Sequence, residues 1–139
     1  MPLYTALHQA GSLDDGQRAE IAAGITDIHL KHAGGLRQFV NVVFNEYPAG
    51  RGFNAGALGA PMVISGAIRA GRDHAVKAAI LEAISALVFR VTDIPRKTLT
   101  VAIGDVQASD AMEGGVLLPE PGEEPAWLAR VGAELGITA

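Results

Sequence analysis

The sequence predicts an α/β (α+β) fold built from two consecutive βαβ units, a four-stranded mixed sheet with two helices on one face. Three observations predict it. Apolar runs of strand length alternate with two long stretches whose apolar residues recur at helical spacing. The order is strand, helix, strand, loop, strand, helix, strand, which is the order of βαβ units. The two halves, residues 2–45 and 62–105, follow the same plan about 60 residues apart, which suggests an internal duplication. Residues 106–139 form a tail to what is read as one domain, 1–139.

Residues Pro2 to His8 read as a strand. A helix is expected from about Leu13 to His32, with Ser12 as its cap answered by Asp15, Ile21, Ile25 and Ile28 on its inner face, and Gly34-Gly35 as its stop. Phe39 to Phe44 is apolar on both sides and reads as an interior strand. Pro48 to Pro61 is rich in glycine and alanine and reads as a loop. Met62 to Arg69 is the third strand, Asp73 to Val91 the second helix and Lys97 to Asp105 the fourth strand. A short helix around Pro125 to Val131 is expected in the tail. Right-handed crossovers place both helices on the same side of the sheet. The other side is too apolar to face water, so further subunits are expected to cover it.

Composition narrows the function. The net charge of −4 offers nothing to nucleic acid or to an anionic membrane. With no cysteine, disulfides, thiolate metal sites and cysteine nucleophiles are excluded. No segment is apolar over a membrane-spanning length, and the first residues lack the basic and apolar regions of a signal peptide, so a cytoplasmic location is expected.

Several residues could carry chemistry. Met1-Pro2 openings usually lose the methionine, which leaves a proline with a free secondary amine. An α-amino group titrates near ~8, and burial or nearby cations bring it toward neutrality, where it serves as a base. Arg69 and Arg72 flank a strand-to-helix turn, and two planar guanidiniums there can converge on a small carboxylate. A cation such as Arg72 opposes the dipole at a helix start, which points to another purpose. His29 shares the inner face of the first helix and can hydrogen-bond a substrate oxygen. Glu113 follows the fourth strand and can orient or deprotonate water. Each also has an ordinary reading alone: a residue after a start codon, two solvated arginines, a core histidine satisfied by backbone, an exposed loop glutamate.

Taken together, Pro2 with Ala23-Gly24-Ile25-Thr26-Asp27-Ile28-His29, Arg69-Ala70-Gly71-Arg72, Ile94-Pro95-Arg96-Lys97, Leu117-Leu118-Pro119-Glu120-Pro121-Gly122 and Trp127 resemble the cis-3-chloroacrylic acid dehalogenase family of the tautomerase superfamily. The resemblance implies a homotrimer, an amino-terminal proline (Pro2) as acid or base, Arg69 and Arg72 on the substrate carboxylate, and His29 and Glu113 on carboxylate and water. It implies no metal and no organic cofactor. One position departs: the family's fourth-strand tyrosine is Ala102 here, which has no hydroxyl. The expected function is therefore tautomerisation of small 2-oxo or enol carboxylic acids, with slower hydratase or dehalogenase activity on three-carbon unsaturated acids. The alternatives are a genuine cis-3-haloacrylate dehalogenase or hydratase and a non-catalytic carboxylate-binding trimer.

Overall fold

A computed structural model describes residues 1–137 of the chain, and the last two residues of the tail lie outside the described residues. Strand β1 spans Leu3–Gln9 and helix α1 spans Asp15–Ala33; after a single 3₁₀ turn at Arg37–Phe39 comes β2, Asn41–Tyr47. A small hairpin, β3 (Phe53–Asn54) and β4 (Ala57–Leu58), closes the first half. The second half repeats the series: β5 (Met62–Arg69), α2 (His74–Val91), a 3₁₀ turn at Arg96–Thr98, β6 (Leu99–Val106), and a hairpin of β7 (Met112–Glu113) and β8 (Val116–Leu117). Helix α3, Glu124–Leu135, ends the described chain.

The sheet order is β2-β1-β5-β6, with β1 and β5 antiparallel at the centre and each parallel to its own outer strand. The expected interior strand is thus an edge. Its continuous apolar run comes from Val42 and Phe44 packing on the helices while Val43 faces the open side. Phe39 belongs to the 3₁₀ turn instead of the strand.

The core lies between one sheet face and both helices, with Tyr4, Ala6, Ile64 and Ile68 meeting Ile21, Ile25, Ile80, Ile84 and Val88. Burying an aliphatic side chain of this size contributes roughly 1.5–3 kcal/mol. The helices approach so closely that a Cβ at Gly24 would lie 2.5 Å from Leu87 Cδ2. The α1 cap is Asp14, not Ser12: its carboxylate accepts from the Gln17 amide, and Gln17 Oε1 accepts from the Asp14 amide. Ser12 instead donates to the Gln9 carbonyl, which delays the helix start from Leu13 to Asp15.

The opposite sheet face carries Leu3, Leu7 and Val43, each more than 40% exposed. The two hairpins add exposed Phe53, Leu58, Met112 and Leu117. The predicted loop thus holds β3 and β4, and Gly114-Gly115 forms the turn of the second hairpin. Helix α3 is longer than predicted. Its Trp127, Leu128 and Val131 pack with Leu36, Phe39 and Val116 in a second cluster.

Candidate active site

The site forms where β1 begins and β5 ends. Pro2 precedes β1 and is buried, and its carbonyl accepts from the Asn41 amide at 3.1 Å, which anchors the start of the sheet. Here Met1 is in place, so the proline nitrogen is an amide and the amine belongs to Met1. That amine pairs with the carboxylate of Glu113. Burial first, and then the Arg69 charge, lower it to about 6. Glu113 is part of β7 and half-buried, so the hairpin carries it to the chain start instead of leaving it in an open loop.

Arg69 is the last residue of β5 and only 5% exposed. One terminal nitrogen donates to the Pro119 carbonyl at 2.6 Å and the other to Glu124, the first residue of α3. The second oxygen of Glu124 accepts from the Gly122 amide at 2.8 Å. Burial alone would raise the Glu124 carboxyl, but these bonds and the Arg69 charge hold it below its ordinary value. Arg72 donates to the Arg69 carbonyl at 2.9 Å and to the Ala33 carbonyl at 3.0 Å. Ala33 ends α1, so Arg72 sits where a helix dipole welcomes a cation, which offsets its poor position before α2.

His29 points inward from α1 and is 2% exposed. Burial, followed by the charges of Arg72, Arg69 and the amino terminus, lowers it to about 4, so its ring is neutral near pH 7. Its Nδ1 lies 2.9 Å from the Tyr4 hydroxyl. Burial pushes Tyr4 up to about 12, so the phenol keeps its proton. Among the described residues that hydroxyl has no other hydrogen-bond partner. The hydroxyl therefore donates to Nδ1, and the ring proton resides on Nε2 as a donor. A second residue thus sets the tautomer of the first.

The five predicted residues are brought to one end of the sheet. The charges of both arginines and the amine bear on His29, while Glu113 touches the amine. Two neighbours were not predicted. Tyr4 could have been read from strand alternation, since Tyr4, Ala6 and His8 share the face that meets the inner side of α1. Glu124 lies 55 residues from Arg69 and leaves no local signal.

Ala102 lies on the open face of β6 opposite Ser65. It is four positions from Val106, the partner of Arg69, or about 13 Å along the strand. A narrow cavity adjoins the site, where Met1, Arg69 and Glu124 share its lining with Leu36, Phe39 and Trp127 among others. A wider open groove over Leu117, Glu123 and Arg130 gathers none of the five residues. Among the described residues no cluster of three or more His, Asp or Glu is placed to hold a metal, and no helix is long and apolar enough to cross a membrane.

Residues 1–130 match the sequence family described as "Putative oxalocrotonate tautomerase enzyme". The structure of a native protein designated Ps01740 is 40% identical, with 80% of this chain and 99% of that chain covered and a TM-score of 0.79. A member of the cis-3-chloroacrylic acid dehalogenase (cis-CaaD) family is 33% identical over 96% of this chain and 98% of its own, with a TM-score of 0.88. A fused 4-OT, wild type, described as an asymmetric trimer is 25% identical over 83% and 94%, with a TM-score of 0.76. No curated protein matches the chain.

Proposed function

The chain belongs to this oxalocrotonate tautomerase family, within the tautomerase superfamily and akin to the cis-3-chloroacrylic acid dehalogenases, and from that premise we propose that it is an enol–keto tautomerase of small 2-oxo carboxylic acids. The observation that carries the reading is the amine at the chain start, brought to about 6 beside Arg69 and Glu113. After removal of Met1 the amine is that of Pro2, one residue further into the same end of the sheet. The space lined by Met1 then becomes available to substrate.

Burial and the Arg69 charge that lower the Met1 amine act in the same direction on a Pro2 amine at this end of the sheet, which favours its unprotonated form as a base. The amine takes the proton of an enol hydroxyl, and the electron pair left on oxygen re-forms the carbonyl. The C=C π pair takes the proton back from the ammonium at C3. In between, the negative charge is spread over oxygen and C3, where the guanidiniums stabilise it. Arg72 and Arg69 anchor the carboxylate. His29 donates from Nε2 to the substrate oxygen, with Tyr4 holding the ring.

A second reading, hydration or hydrolytic dehalogenation of three-carbon unsaturated acids, is supported by Glu113, whose carboxylate at the amine can activate water. Ala102 argues that it is the slower activity, since loss of one acid–base group commonly costs about 10²–10⁴ in rate.

A homotrimer also fits. Leu3, Leu7 and Val43 on the uncovered sheet face and the apolar hairpin tips are surfaces for copies of the chain, and a fused 4-OT that shares the fold is described as a trimer.

The test is ketonisation of an aryl enolpyruvate by protein whose intact mass shows Met1 removed. The reading expects rapid ketonisation that Pro2→Ala greatly slows, and equal rates for the two proteins would refute it.

A further inference from the structure

Two guanidiniums meet at the site, but their charges are not equally available. Arg69 is almost wholly buried, and each terminal nitrogen gives one hydrogen bond, to the Pro119 carbonyl and to the Glu124 carboxylate, the latter pairing its charge. Glu124 is itself 16% exposed and fastened by the Gly122 amide, so it is a fixed partner and not a passing surface ion. Arg72 differs: its two hydrogen bonds go to neutral carbonyls, and among the described residues no carboxylate stands within ion-pair distance of it. Glu113 faces the amine. Glu124 and Asp105 act on Arg72 only from beyond ion-pair distance, so of the two guanidiniums it is Arg72 whose charge has no paired carboxylate and is left for a ligand to answer. The cavity beside Arg69 is lined by Leu36, Phe39, Leu118 and Trp127 together with the Arg69–Glu124 pair itself, so the one cation on its wall is already answered and the rest offers a second carboxylate nothing.

We propose that Glu124 is a specificity-determining residue: by neutralising Arg69 from within, it restricts the site to 2-oxo acids with one carboxylate and an apolar remainder, and excludes dicarboxylates. The inference rests on the tautomerase reading for its choice of 2-oxo acids, but it concerns binding and is tested by binding. A dianion would place its second charge against apolar walls and beside the Glu124 carboxylate, where like charges repel. Arg69, whose remaining N–H groups can still reach the substrate's one carboxylate, brings no unbalanced charge to it, and Arg72 supplies the charge that the carboxylate answers.

The experiment uses the full chain freed of Met1 and a matched pair of five-carbon ligands, 2-oxopentanoate and 2-oxoglutarate, which differ in a methyl against a carboxylate. Titration calorimetry of the wild type is expected to show at least about tenfold tighter binding of 2-oxopentanoate. Equal or reversed preference in the wild type overturns the proposal without any variant. Glu124→Gln keeps the side-chain shape and removes the charge. It is expected to reduce the preference about tenfold, by tightening 2-oxoglutarate, while the fluorescence of Trp127, the chain's one tryptophan, stays that of a docked α3. An unchanged preference in that variant with α3 docked overturns the proposal. Selective binding without ketonisation would leave this inference standing and remove the tautomerase reading. Ketonisation with no selectivity would do the reverse.

Discussion

The two halves of the chain are the same machine assembled twice, yet of the two equivalent ends of the sheet only one gathers the candidate residues, Pro2 and His29 from the first half with Arg69, Arg72 and Glu113 from the second. Strand residues correspond at a spacing of 60, as Tyr4 with Ile64 on the helix-facing side, and helix residues at 59, as Asp14 with Asp73 at the two caps. The change of spacing falls in the turns Ala10-Gly11-Ser12-Leu13 and Ala70-Gly71-Arg72, one residue shorter in the second half, and both place the glycine at positive φ. Along this correspondence Tyr4 and His29 face Ile64 and Val88, both fully buried. Arg69 corresponds to Gln9, Glu113 to Asn54, and Pro2 to Met62, an interior residue that can never carry a free amine. The scaffold survives with an apolar pair in the seats of the polar dyad, so the dyad is not required for folding. The proposed chemistry belongs to the end of the sheet that holds the chain start.

Variants at corresponding positions sharpen or break this contrast. The largest effect is expected at the chain start: Pro2→Ala should cost about a hundredfold or more in ketonisation, while Met62→Leu, at its counterpart, should leave kcat/KM within about twofold. Equal losses would mean that the amine is not the reacting group. Next, Arg72→Ala should lower kcat/KM by about 10–100-fold, as expected for a charge-assisted bond worth about 1.5–3 kcal/mol, and Arg72→Lys should restore little of it. Retained kcat/KM in the alanine variant would remove Arg72 from the substrate.

A third pair separates stability from activity. Val88→Ala should lower unfolding free energy by about 1–3 kcal/mol with kcat unchanged. His29→Asn should reduce turnover and also flatten the acid limb of the stability profile. The sign follows from His29 being lowered to about 4 from 6.5. Between those values the unfolded state binds the proton and the folded state does not, so stability falls as pH drops through that window. Denaturant titrations at pH 7 and pH 5 read this, and an unchanged slope in the variant would show that His29 is not the group. The smallest effect is expected from Glu113→Gln. Loss of its charge should let the chain-start amine titrate lower, moving the amine's limb of kcat/KM downward. A limb that moves upward would contradict the ion pair.

Much of this organisation was legible in the sequence because it is local. Ile21, Ile25 and Ile28 announce a helix face, and His29 is read from the same periodicity. The arginines sit three residues apart at a turn, and a proline after Met1 is visible at once. Glu113 was found but misplaced, since a two-residue strand lies below what periodicity can resolve. The edge position of β2 was missed because pairing order is decided by which strands meet, and an apolar run reads alike at a centre or beside a partner subunit. Glu124 was invisible for the same reason: its meaning comes only from the folding of α3 against β5.

Gly66 stands directly across from Tyr4 in the central pairing of β1 and β5. A Cβ there would come within 2.6 Å of the Tyr4 ring. The aromatic ring lies on bare backbone, and the histidine hangs from its hydroxyl. A single added methyl on β5 would lift the phenol and, through it, re-aim the imidazole. The protein therefore has a tuning point for the proposed reaction at a residue with no functional group.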